Sequence, residues 1–501
     1  MTSDPTMEVC DLCVIGAGVA GLNALAVARE YLPKSARVIL VDRRAREGGM
    51  WVDTYDYVRL HQPHRMFTAG DLPWKTERHP AYLADKPEVL NHLSDCLNDC
   101  RDSFQLDEFF GYEFVAMKEV QLEEQWKVKL SLKNVDSGEV KEILSARCIK
   151  AFGFRVPKNP PLAFRSQQVN SVSPHDDALF SGEFAASTAP CFIVGGGKTA
   201  MDTAITILNH YPDKQVSMLV GRGTVFLNRD KTFHKGIKRW VGGQTTRKGF
   251  LELGLRYNGD NDLEVMEYFK EQMGIYLDKS FENYFFGILS EQENNILKTG
   301  LHNLVKEYLV DITDETDQVV MRYRSGGSMP IPSGSWIINC TGYIAREEYD
   351  YEPYVSKNVT TISIQPSSGI HFLSTFGAYF LTHLFFLNKL PHLRLYELDY
   401  QSLLRKNKQG FALVGISHTL YNILIMLDAV PTNVFTRCGL DFDNWFPFYR
   451  RVLGGMDLRR HNSAYRAVFK KALDRVKEKY QIRCGELEHS TESETINRPQ
   501  N

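Results

Sequence analysis

Two glycine loops, Gly16-Ala17-Gly18-Val19-Ala20-Gly21 and Gly195-Gly196-Gly197-Lys198-Thr199-Ala200, constrain this chain more than any other feature. Each follows a short apolar run, Asp11 to Ile15 and Pro190 to Val194, and each opens a helical pattern, Leu22 to Tyr31 and Met201 to Leu208. A second strand follows in both, Arg37 to Val41 and Val216 to Val220, so the whole βαβ unit recurs. Such a unit holds a pyrophosphate at its glycine turn and reads the adenosine ribose at the tip of the next strand. The first tip carries Asp42-Arg43 and the second Gly221-Arg222. A carboxylate accepts from a free 2′-hydroxyl and repels a 2′-phosphate, so the first site suits FAD or NAD. The second has no acid and an added guanidinium, which suits NADP. Lys198 sits either near the same phosphates or at a solvated helix start. Two dinucleotides in one chain imply redox chemistry.

The composition is that of an ordinary globular protein, 43% apolar and 24% charged over 501 residues, with room for two to four domains. A formal charge of -2 argues against nucleic acid or an anionic membrane as an obligate partner. The start of the chain is too polar for a secretory signal, and a cytoplasmic enzyme is expected. The nine cysteines are scattered, as reduced thiols would be. Cys10 and Cys13 flank the first strand with no second pair to complete a zinc site, so no metal is expected. His61 and His64 likewise lack a third ligand nearby. The stretch after Asp42 has no redox cysteine pair, which disfavours disulfide reduction.

Two apolar stretches, Ile370 to Leu387 and Phe411 to Leu427, approach membrane-spanning length. Polar interruptions at Ser374, Thr382, His383, Ser417, His418 and Asn422 read them as buried helices or a hydrophobic lining. Between the loops, Gln125 to Leu132 alternates as a strand, and Ala146 to Gly153 reads as a return to the first sheet. The pattern repeats with Gln318 to Tyr323 and Ser335 to Tyr343. The α/β organisation expected is an FAD-binding part at 1–160 and an NADP-binding domain at 161–343 with an insertion at about 229–300. Residues 344–488 complete the first domain and form a mostly helical cap, and 489–501 form a polar, disordered tail.

Glu47-Gly48-Gly49-Met50-Trp51, just beyond Asp42, is similar to the segment that wraps the flavin in the class B flavin-dependent monooxygenases. That group comprises the flavin-containing, Baeyer-Villiger and N-hydroxylating monooxygenases. Ala151-Phe152-Gly153 and Cys340-Thr341-Gly342-Tyr343 resemble its two strand-end returns. The run from Tyr57 through Asp71-Leu72-Pro73-Trp74 resembles the catalytic-turn region of the flavin-containing members. The resemblance covers residues 9 to about 343 and implies two Rossmann-like domains, with the NADP domain inserted in a split FAD domain. It further implies that NADPH reduces the flavin, which captures oxygen as a C4a-hydroperoxide and oxygenates a small, fairly apolar substrate at nitrogen, sulfur or a carbonyl carbon.

By this resemblance Gly16, Gly18, Gly21, Asp42, Arg43, Gly49 and Trp51 serve FAD. Gly195, Gly197, Lys198, Thr199, Ala200, Arg222, Thr341 and Gly342 serve NADP or the strand returns. Two departures stand out. Where the family carries a catalytic asparagine or aspartate, this chain places His61, followed by Gln62, which either tunes the flavin adduct or packs beside it. The linker lacks the family's Phe-x-Gly-x-x-x-His pattern, and only Val172-Ser173-Pro174-His175 echoes it. That leaves an NADPH oxidase or reductase, and a redox-responsive flavin-binding protein, as alternatives.

Overall fold

The computed structural model describes residues 7–153, 156–342 and 348–487. Tyr343 and the tail from His489 lie outside them. The chain begins with β1 (Glu8–Ile15), α1 (Val19–Ala28) and β2 (Arg37–Asp42), followed by α2 (Met50–Asp53) and α3 (Lys86–Arg101). β3 (Gln105–Phe110), β4 (Tyr112–Leu122), β5 (Gln125–Asn134) and β6 (Val140–Lys150) complete a sheet in the order β3-β2-β1-β6-β5-β4. The first four strands in that order are mutually parallel, and β6-β5-β4 is an antiparallel meander. Parallel strands covered on both faces need continuous apolar runs, as in the buried Leu12 to Ile15. The meander instead alternates, burying Val128, Leu130 and Leu132 between outward polar residues.

The second unit comprises β7 (Asn170–Val172), α4 (Gly182–Ala186), β8 (Cys191–Val194), α5 (Lys198–His210) and β9 (Val216–Leu219). The segment after it contains β10 (Thr224–Asn228), α6 (Arg229–Thr232), α7 (Ile237–Trp240), α8 (Thr246–Arg256), α9 (Asp262–Gln272), β11 (Gly274–Ile275), β12 (Asn283–Leu289) and α10 (Glu291–Gly300). The chain then returns through β13 (Asn303–Val305), a meander of β14 (Leu309–Asp314), β15 (Val319–Tyr323) and β16 (Ser328–Ile331), and β17 (Trp336–Asn339). The resulting sheet, β13-β9-β8-β17-β7, is wholly parallel. Residues 224–289 add a small sheet of their own, β11-β10-β12.

β18 (Thr361–Ser363) then pairs with the C-terminal half of β6, and α11 (Ser374–Phe386) packs along α1. That contact explains why α1 is apolar on every side: each of its ten residues is buried. The remaining elements are β19 (Tyr396–Leu398), α12 (Tyr400–Lys406), α13 (Phe411–Ala429), α14 (Thr432–Thr436), α15 (Phe448–Arg460), α16 (Asn462–Tyr480) and β20 (Cys484–Glu486). Within 344–488, the stretch expected to complete the first unit and to form a helical cap, β18 and α11 join that unit, whereas α13 and α16 pack against α8 of the 229–300 segment, where Gly254 lets Phe469 and Leu420 approach.

Among the described residues α13 alone is long and apolar enough to cross a membrane, and it is buried within the protein. Its polar residues are the reason it can be a core helix. His418 Nδ1 meets the Tyr400 hydroxyl at 2.8 Å and its Nε2 meets the Tyr396 carbonyl at 2.7 Å. Asn422 Nδ2 donates to the carbonyls of Ile370 and Tyr396. In α11, His383 Nδ1 pairs with the Tyr31 hydroxyl at 2.7 Å. These interior partners satisfy groups that lipid would leave unpaired.

Candidate functional site

The first glycine loop is built by close backbone approach. Gly16 has φ +107 and donates to Val41 O at 2.7 Å, and a Cβ on it would sit 2.7 Å from the Ala151 carbonyl oxygen. Gly48 donates to Ala17 O at 3.0 Å, which lays the Gly48-Gly49 turn against the loop. Gly18 and Gly49 then face one another so closely that a methyl on Gly49 would stand 2.7 Å from Gly18 Cα. Gly21 leaves room for the Gly16 carbonyl. α1 starts at Gly18 without a side-chain cap or an acidic residue in its first turn, so its leading amides stay available to an anion. By contrast α3 closes its own N-terminus with an Asp85/Glu88 capping box.

Asp42 is buried at the strand tip, accepting from Ala17 N at 2.7 Å and from Arg44 N at 2.9 Å. The carboxylate therefore stiffens the loop. Arg44 ion-pairs with Asp53 of α2 at 2.6 Å, while Arg43 points to solvent. Trp51 is half-buried, its ring 5.5 Å from Phe67 at a steep angle.

The second loop repeats the construction. Gly195, φ +142, donates to Leu219 O at 2.8 Å and lies against the Cys340 carbonyl. Gly197 caps α5 without a side-chain hydrogen bond, and a Cβ there would meet nothing within 4 Å. That open space above an uncapped helix start is where a pyrophosphate fits. Thr199 and Ala200 form the first turn, with Ala200 fully buried. At the next tip Gly221, φ +56, lies under the Tyr308 ring and Arg222 is exposed. The Arg324 guanidinium lies 4.7 Å from the centre of that same ring. Arg324 belongs to a distant meander, so no local pattern could reveal it. Thr341 Oγ1 donates to Asn339 Oδ1 at 2.7 Å, and Asn159 Nδ2 ties Thr341 O to the linker at 2.9 Å. Gly342 follows with open space around it.

The two units meet along a polar seam. The Tyr55 hydroxyl donates to Asp202 Oδ2 at 2.9 Å and the Tyr57 hydroxyl pairs with Thr203 Oγ1 at 2.8 Å. Lys198 forms an ion pair with Asp202 one turn along α5. This corrects the reading of Lys198 as a solvated helix-start lysine, and a phosphate would have to compete with the Asp202 carboxylate for it. Burial raises the Asp202 carboxyl even against that ammonium, and burial likewise pushes the Tyr55 phenol up. His175 lies 6.1 Å from the Tyr55 ring, on the same seam.

His61 lies beside this cluster. Its carbonyl accepts from Arg229 Nε at 2.8 Å, and the Arg229 guanidinium pairs with Glu293 at 2.8 Å. The residue is partly exposed while its imidazole is set deep among protein atoms, and burial followed by the charges of Lys198 and Arg229 lowers it to about 3. The imidazole is therefore neutral at physiological pH. A neutral imidazole holds one N–H proton. Burial opposes ionisation of Glu293, but Lys198, Arg229 and its capping bonds to Ser290 hold it at about 2. Gln62 is buried, and its Oε1 has no hydrogen-bond partner among the described residues. Arg229 and Glu293 stand at the two ends of the long insertion, a segment whose composition gave no sign of chemistry. His64 packs against Trp74 and Tyr82, away from any ligand cluster. Among the described residues no group of three metal-ligating side chains occurs.

The cysteines are all free and buried. Burial pushes Cys10 up to about 11 and Cys100, Cys191, Cys340 and Cys484 to about 12, so none of these presents a thiolate for exchange.

A model of the pyridine nucleotide-disulphide oxidoreductase family matches residues 10–249, from β1 past the second ribose tip. The FAD-containing monooxygenase EthA of Mycolicibacterium smegmatis is 30% identical over 94 residues, 18% of each chain. An uncharacterized protein of Mycobacterium tuberculosis is 26% identical over 236 residues, 43% of this chain and 40% of that one. The chain thus matches less than half the length of these curated relatives. Among solved structures, a flavin-containing monooxygenase from Stenotrophomonas maltophilia superposes with a TM-score of 0.45 at 15% identity, covering 77% of this chain and 99% of that one. Ornithine hydroxylase from Pseudomonas aeruginosa gives 0.46 at 12% identity, covering 76% and 99%. Two uncapped glycine loops, an acidic and a basic strand tip and a family match over residues 10–249 make this chain similar to the pyridine nucleotide-disulphide oxidoreductases over just under half its length.

Proposed function

We propose that the chain is an NADPH-dependent flavoprotein monooxygenase acting on a small, fairly apolar substrate at nitrogen, sulfur or a carbonyl carbon. The observation that supports this most is the seam, where a neutral His61 stands near Lys198, Arg229 and Glu293, with Lys198 ion-paired to Asp202. FAD, when bound, takes hydride from NADPH and passes electrons to oxygen. Gly16, Gly18, Gly21 and Gly49 make room for its pyrophosphate, Asp42 accepts from its ribose, and Trp51 flanks it. Gly195, Gly197, Thr199 and Ala200 serve the NADP pyrophosphate, and Arg222, joined by Arg324, binds the 2′-phosphate. Thr341 and Gly342 close that unit. His61 donates a hydrogen bond at the reacting centre, and the buried Gln62 amide offers an acceptor beside it. Arg229 holds the His61 backbone, while Tyr55 and Tyr57 close the seam against water.

The test is an accounting of NADPH, oxygen and hydrogen peroxide across a panel of amines, sulfides and ketones. A monooxygenase consumes NADPH and oxygen in equal amounts with product formed and little peroxide. If all the oxygen returns as peroxide with every compound, the oxidase reading, which the missing linker pattern favours, replaces this one. If anaerobic NADPH leaves the flavin oxidised, the cofactors are structural.

A further inference from the structure

Helix α15 is amphipathic in the wrong sense for a soluble protein. Phe448, Tyr449, Val452, Leu453 and Met456 recur at helical spacing and are all exposed, Phe448 at 64% and Leu453 at 61%. Only Leu458 of this helix is buried. Beside it, α7 and the residue after it expose Ile237 (82%), Trp240 and Val241. The two segments are pinned into one surface. The Tyr449 hydroxyl donates to Trp240 O, and the Arg450 guanidinium donates to the carbonyls of Arg239, at 3.1 Å, and of Gly243. Arg239 Nε donates to Trp445 O at 2.7 Å, and Trp445 Nε1 donates to His234 O at 2.8 Å. A continuous apolar surface of this kind marks a contact site.

The charge around the patch identifies what it contacts. Residues 234–248 hold five Lys or Arg and no acid, and residues 445–460 hold four Arg against the single carboxylate Asp457, in a chain whose formal charge is -2. Lys235, Lys238, Lys248, Arg459 and Arg460 are exposed, and none makes an ion pair with another described residue. Exposed aromatic and aliphatic side chains ringed by basic groups without an acidic partner match the boundary of an anionic bilayer: apolar groups enter the acyl edge and ammonium and guanidinium groups meet phosphates. We propose that α7 and α15 form a peripheral docking surface for an anionic phospholipid membrane. The near-neutral total charge hides it, because acidic residues lie elsewhere on the chain. The surface also lies close to the seam: Phe233 packs against Trp445 and Phe442, and Phe233 N bonds to Arg229 O, whose side chain holds His61. The proposal does not depend on which reaction the flavin performs.

Co-sedimentation of the FAD-loaded full chain with phosphatidylcholine vesicles, and with vesicles that also contain phosphatidylserine, tests it. Binding is expected to the anionic vesicles and to weaken as salt is raised above about 0.1 M. Leu453→Asp with Ile237→Asp, and separately Lys238→Glu with Arg459→Glu, should each weaken binding by about tenfold or more. Flavin content and NADPH oxidation should not change, since none of the four residues touches the seam. Binding to neither vesicle overturns the proposal, as does equal binding to both or binding that the variants leave intact. A dimer in light scattering that Leu453→Asp converts to monomer, without vesicle binding, assigns the patch to a second copy of the chain and also overturns it.

Discussion

A methyl group at Gly197 would meet no protein atom within 4 Å, whereas one at Gly49 would stand 2.7 Å from Gly18 Cα. The two positions separate a ligand's requirement from the fold's. Gly197→Ala is expected to leave the thermal midpoint unchanged while raising the KM for NADPH, because only the bound phosphates occupy that space. An unchanged KM would remove the second loop from the cofactor site. Gly49→Ala perturbs the turn itself, through both contact and φ +57, and should yield colourless protein. At the second ribose tip, Arg222→Ala should cost about 1.5 to 3 kcal/mol in NADPH recognition and little with NADH, the scale of a charge-assisted hydrogen bond. Equal losses with both nucleotides would contradict the assignment. Arg222 was legible because its offset from a glycine loop is local. Arg324 was not, because it reaches the same ring from another strand.

At the scale of elements, the nucleotide strands and helices were legible from local pattern alone. The glycine turn, the apolar strand and the uncapped helix are contiguous in sequence, and α1, β2, β8 and α5 lie where that pattern puts them. The 229–300 segment was not legible in the same way. Its two ends meet only because β10 and β12 pair in parallel and bring Arg229 beside Glu293. Arg229→Met removes the donor to His61 O and leaves a mostly buried Glu293 short of a partner. It should lower stability by about 2 kcal/mol in urea denaturation and lower turnover as His61 loses its backbone restraint. Unchanged stability and turnover would show the contact to be incidental.

Across the whole molecule, several histidines are buried in neutral form. Burial lowers His61 and His371 from 6.5 to about 3, and His92, His383 and His418 to about 4. Their unfolded forms protonate first as pH falls, so the unfolded state binds more protons and stability declines with acidity. The stability is fully present above about pH 6.5 and is lost as pH falls through about 4 and then about 3, and Glu293 adds a further loss between 4.5 and about 2. The melting temperature should therefore be clearly lower at pH 5 than at pH 7.5, and a flat profile would show that these side chains do not stay neutral in the folded chain. The polar interruptions in the apolar stretches predict burial correctly for the same reason: His383, His418 and Asn422 find interior partners.

What the sequence determined by itself is the pair of nucleotide-binding units and the contrast between their ribose tips. Glycine φ preferences, helix capping and strand alternation act over a few residues, so short-range pattern encodes them. Tertiary structure decided everything that depends on residues far apart in the chain. It buried His61 and brought Lys198 and Arg229 near it, which together keep that imidazole neutral against the opposing charge of Glu293. It also set α7 beside α15, joining two unremarkable basic segments into one apolar and cationic face. Burial and charge proximity are properties of the packed chain, and they, rather than residue type, set the protonation of His61 and the surface that α15 presents.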